Sequence, residues 1–120
     1  MRVDDLADAR AGDKGGTLML AVLPRGDIAW ALLREHLTAD LVRRHFGPAV
    51  TGPVTRSEVP GLPALVFRVP GVLGGGVTGS TALDGHGKTL SYHLLALELP
   101  VLPLRVPGLQ AGSIPVRLRH

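Results

Sequence analysis

The sequence predicts an α+β domain: a helix layer on a largely antiparallel sheet, followed by an extended C-terminal tail. Three observations carry this. Two short apolar runs, Thr17-Leu-Met-Leu-Ala-Val-Leu23 and Ala64-Leu-Val-Phe-Arg-Val69, have the length of buried strands. A stretch of helical periodicity, residues 27–46, lies between them. The order is strand, helix, then several strands, with no internal repeat, which suits one helical element packed on a sheet.

The elements follow in chain order. Residues 3–9 are short and half polar, and read as an edge strand or an ordered lead-in. Arg10-Ala-Gly-Asp-Lys-Gly-Gly16 reads as a polar glycine-rich loop. The first buried strand follows and stops at Pro24. Pro24-Arg-Gly-Asp27 is a turn, with Asp27 as a helix N-cap. Ile28, Leu32, Leu33 and His36 then share one helix face, and Leu41, Val42, His45 and Phe46 form a second inner face behind a Thr38 cap. The stretch is one kinked helix or two short ones, closed by Gly47-Pro48.

Residues 52–59 read as an edge strand, because Pro53 cannot serve a central ladder. Pro60–Pro63 is a turn before the second buried strand. Gly71–Val77 forms a second glycine-rich loop. Residues 80–99 are expected to form a β-hairpin about Asp84–Gly87. A helix is the alternative for its last arm, since Leu90, Leu94 and Leu97 keep helical spacing. Residues 1–99 thus make the domain. Residues 100–120, with four prolines and no helical period, make the tail.

Composition narrows the function. The chain has 120 residues, 45% hydrophobic and 19% charged, a globular and not a disordered balance. Thirteen Lys+Arg against ten Asp+Glu give +3, and the tail carries all of it as Arg105, Arg117 and Arg119. Only Arg43-Arg44 is a contiguous basic pair, and there are four aromatics, so nucleic-acid binding lacks its charge footprint and its stacking residues. Without cysteine, thiolate chemistry is excluded. No apolar run approaches the roughly 20 residues of a membrane span, and no secretory leader is visible, so a cytoplasmic setting is expected.

Three groups can carry chemistry. In Arg10–Gly16, glycines let backbone approach a ligand. Arg10 and Lys14 can hold a carboxylate or phosphate, and Asp13 can act as a base; the plain reading is a polar turn with a local ion pair. Gly74-Gly-Gly76 is costly in chain entropy and suits a ligand, a hinge or a crossover. Arg56 and Glu58, two apart on a strand, share one face, either as a functional pair or as part of a solvated surface. The five histidines have no metal-binding spacing. His93 alone is a conceivable acid/base. There is no phosphate-binding loop, GxSxG motif or metal set, so no cofactor is implied.

The ordered set Arg10-x-Gly-Asp-Lys-Gly15, Leu37-Thr38, Gly52-Pro-Val54, Glu58-x-Pro-Gly-Leu-x-Ala-Leu-x-Phe67, Leu73-Gly-Gly-Gly76 and Ser80-x-x-Leu-Asp84-x-x-Gly-Lys88 resembles the small C-terminal domain of AtuA-like proteins, the acyclic terpene utilisation family. The likeness spans roughly residues 3–99. It implies a ferredoxin-like sandwich, a much larger partner domain or chain, and a setting in terpenoid degradation through acyl-CoA metabolism. Ala11 stands where the family often has Ser, the large domain is not in this sequence, and the tail has no counterpart.

The expected function is therefore a small subunit of a hetero-oligomeric AtuA-like enzyme, with lyase or hydratase chemistry as the expected reaction type. Its partner would be a larger AtuA-like chain and its substrate an acyl-CoA or related carboxylic acid. Asp13 and Lys14 would be catalytic. Arg10, Gly12, Gly15, Gly74, Gly75, Gly76, Arg56 and Glu58 would bind substrate. The alternatives are a self-sufficient homo-oligomeric lyase or isomerase using Asp13 and Lys14, and a structural module without chemistry.

Overall fold

The computed structural model describes residues 1–72 and 89–101. Four strands form one antiparallel sheet: β1 (Ala7–Lys14), β2 (Thr17–Pro24), β3 (Thr55–Glu58) and β4 (Leu65–Val69). Between β2 and β3 run two helices, α1 (Asp27–His36) and α2 (Ala39–Phe46). A third helix, α3, covers 89–95.

The strand order is β1-β2-β4-β3, and every neighbouring pair is antiparallel. β2, β4 and β3 with the helices between and after them supply the core of a ferredoxin-like sandwich. The N-terminal strand β1 fills the remaining edge, beside β2.

Register explains which face is buried. Leu20 stands between Ala11 of β1 and Phe67 of β4, and Arg56 of β3 completes that row. Leu18, Leu20, Val22, Leu65, Phe67 and Val69 all lie on this inner face and are fully buried. Leu33 of α1, Val42 of α2, and Leu90 and Leu94 of α3 close over them in one core. Each fully buried Leu, Val or Phe contributes about 1.5–3 kcal/mol, so the sandwich rests on this layer.

The apolar runs form β2 and β4, and 27–46 divides into two helices. Thr38 separates them: its hydroxyl accepts the Leu41 amide at 3.1 Å, and Gly47, at φ 73°, ends α2. Five expectations are corrected. Arg10–Lys14 are strand, not loop, because the whole of β1 pairs with β2, from Ala7↔Pro24 to Lys14↔Thr17. Residues 89–95 are helix, not a hairpin arm, because Leu90, Leu94 and Leu97 bury one helical stripe. Gly26, not Asp27, holds the cap position of α1, with no side-chain cap bond. The inner residues of α1 are Ala29 and Leu33, whereas Ile28 is 44% exposed. The edge strand near Pro53 is only Thr55–Glu58. The second glycine loop, the hairpin turn and residues 102–120 of the tail lie outside the described residues.

The chain also ties its N-terminal segment to the residues after α3. Val3 donates its amide to Leu97 at 3.0 Å, Leu99 donates to Met1 at 2.8 Å, and Arg2 and Glu98 form a bridge. No helix among the described residues is long and apolar enough to cross a membrane.

Candidate functional site

The site begins with the β1–β2 hairpin. Gly15 and Gly16 join the strands with φ values of 59° and 88°, and two consecutive positive φ values are what a two-residue hairpin turn demands. The turn sets the register, and the register sets the direction of every side chain in the Arg10–Gly16 motif.

Strand alternation then divides that motif. Ala9 and Ala11 face the helices, opposite Val22 and Leu20. Asp13, opposite the buried Leu18, falls on the same side. Arg10, Gly12 and Lys14 fall on the other face, open in that no helix or strand among the described residues covers it. Successive members are about 7 Å apart along the strand. A Cβ on Gly12 would meet nothing within 4 Å, so the position is a gap between two long cationic side chains.

The open face brings in residues that the motif does not contain. Gly12 pairs with Met19, Met19 with Arg68, and Arg68 with Thr55. The next row runs Arg10, Ala21, Val66, Ser57. Met19, Ala21 and Val66 are half-buried, and Arg10, Lys14 and Arg68 are exposed. Arg68 carried a partial signal: it interrupts the buried alternation Leu65, Phe67, Val69 and so must point away from the core. Its alignment with Gly12 depends on register across two strand pairs, which composition does not show.

Arg56 and Glu58 do share a face, but it is the helix side. The Arg56 Nη1 donates to the carbonyl oxygens of Arg34 and Leu37, both at 2.9 Å, and so satisfies the C-terminal end of α1. Glu58 accepts from Arg34 Nε at 3.0 Å. They therefore lie apart from Arg10, Gly12 and Lys14, across the sheet. Gly74, Gly75 and Gly76 lie outside the described residues.

His93 is committed to α2. Its Nε2 donates to the His45 carbonyl at 3.0 Å, and the His45 Nε2 donates to the His93 carbonyl at 2.6 Å. Burial of the His45 ring lowers its pKa below the ordinary 6.5; its bond to His93 opposes that shift, and the charge of His93 adds to it. The Asp40 carboxyl is also held below its usual range, first by its hydrogen bond from Arg43. Among the described residues no group of three or more His, Asp or Glu is placed to hold a metal ion. Two shallow hollows, of about 250 and 280 Å³, are lined by Arg2, Tyr92 and Leu95 and by Asp40, Arg43 and Pro53, away from the motif.

Comparison with known proteins adds one decisive match. The family model of the AtuA ferredoxin-like domain matches residues 1–100. The chain belongs to that family. No curated protein and no solved structure matches it. The matched span takes in the whole sheet, the three helices and the Arg10–Gly16 motif of this AtuA ferredoxin-like domain.

Proposed function

We propose that this chain is the small subunit of a hetero-oligomeric AtuA-like enzyme of the cytoplasm, acting on acyl-CoA or related carboxylic-acid substrates. It contributes the Arg10–Gly16 segment to a site shared with a larger AtuA-like chain. Membership of the family supports the role, and one relationship carries the shared site. Asp13 and Lys14 are adjacent in sequence but sit on opposite faces of an edge strand. An acid or base works within hydrogen-bond reach of its own proton, so Asp13 serves one side of the hairpin end and Lys14 the other. A second chain wrapped around the end of the β1–β2 hairpin can present a substrate to either face, with Lys14 fixing a carboxylate or phosphate.

The test is the activity of the assembled complex carrying Asp13→Ala or Lys14→Ala. Loss of at least tenfold in kcat/KM for either variant, with assembly intact, is the expected result. Full activity in both would remove this segment from the site.

A further inference from the structure

Every cation among the described residues can be asked what it holds. Arg2, Arg25, Arg34, Arg43 and Arg44 each sit in an ion pair with a carboxylate, and Arg56 holds the α1 carbonyls. Arg10, Lys14 and Arg68 have no such partner among the described residues, and all three stand on the open face of the sheet. That face has an apolar centre, Met19, Ala21 and Val66, between them. The strand residues of this face include one acid, Asp8, and it is taken by Arg25 at 2.7 Å.

We propose that the open face of the sheet, centred on Met19 and flanked by Arg10 and Arg68, docks a protein surface with an apolar centre and a carboxylate rim, leaving Lys14 at the hairpin end to the substrate. This rests on the reading above that a larger chain is the partner, and it names the face that meets it.

Charge decides among the possible occupants. A second copy packed face to face would oppose six cations with no free acid, and like charges across an interface disfavour association. The tail, residues 102–120, carries Arg105, Arg117 and Arg119 and no acid, so it would add to the same repulsion. Single-stranded nucleic acid is attracted by the charge, but such sheets hold bases by aromatic stacking. Here Met19, Ala21 and Val66 occupy the centre, and Phe67 points into the core. An acidic, partly apolar protein surface satisfies both the cations and the half-buried strip.

The test is co-expression of the full chain with a large AtuA-like chain from the same genome, followed by the affinity of the purified pair. The R10E/R68E double variant should bind at least about tenfold more weakly, R44E should bind within about twofold of wild type, and salt should weaken the wild-type pair. If R10E/R68E melts, R10A/R68A gives the same ordering with a smaller loss. Undiminished binding by the charge-altered variants while the wild-type pair forms overturns the face and leaves the subunit reading standing. No binding by wild type overturns the subunit reading, and this inference with it. Binding of a mixed-sequence 20-nucleotide RNA more tightly than the large chain, lost in R10E/R68E, assigns the face to nucleic acid and overturns the protein occupant.

Discussion

His45 and His93 stack ring on ring, 4.1 Å between centroids and 17° between planes, and each donates Nε2–H to the other's backbone carbonyl. The reciprocal bonds fasten α3 to the end of α2, with the Phe46 ring packed edge-on against His93 at 4.8 Å. A carbonyl only accepts, so both Nε2 atoms carry their protons, and a further proton on the His45 ring enters at Nδ1.

This clasp gives stability a direction with pH. His45 has a folded-state pKa lowered from 6.5, so the unfolded chain binds the extra proton more readily. Its contribution is complete above about pH 6.5 and falls as pH drops through the lowered folded value. Urea midpoints should decline from pH 7.5 to pH 5. In His45→Gln this part of the slope should shrink, and an unchanged slope would assign the pH dependence to other groups.

Legibility in the sequence differs by element. β2 and β4 are short apolar runs bounded by turn residues, and they sit where those runs predict. β1 was hidden because Arg10, Gly12, Asp13 and Lys14 look like a loop, and only pairing with β2 makes them a strand. α3 is visible in the spacing of Leu90, Leu94 and Leu97, but the preceding Asp84–Gly87 turn signal favours a hairpin. The candidate motif was evident from its residue types. Its division between two faces was not, since one residue of register reverses every side chain. The bonds from Arg56 to the α1 carbonyls have no sequence signal, since they depend on how α1 packs over β3.

Arg56 should therefore matter for folding. Replacing it with Met removes two bonds from a charged donor to the α1 carbonyls and should cost about 1–3 kcal/mol. Glu58→Gln touches only an exposed ion pair and should cost under about 1 kcal/mol. Denaturant unfolding of the two variants gives the comparison. Equal small effects would contradict the structural role of Arg56.

Gly71 and Gly12 should differ sharply in their tolerance of alanine. Gly71 has φ 94°, and a Cβ there would press on the Thr51 side chain and stand 2.7 Å from the Ala49 carbonyl oxygen. Left-handed strain alone is roughly 1–2 kcal/mol, so Gly71→Ala should cost about 2 kcal/mol or more. Gly12→Ala faces open space and should leave the unfolding midpoint nearly unchanged.

Thr38→Ala should loosen the start of α2. It removes the hydroxyl that accepts the Leu41 amide and should cost about 1 kcal/mol. Thr38→Ser should recover most of it, which separates capping from side-chain bulk. Thermal melts of the three proteins are sufficient.

The proposal that this chain works as a subunit is tested most directly by its native mass in the source cells. A tagged copy is purified under gentle conditions and the eluted species is weighed by native mass spectrometry. The predicted result is a large AtuA-like chain recovered with it in fixed stoichiometry. Elution of the tagged chain alone, as a monomer or a homo-oligomer, would contradict the subunit role.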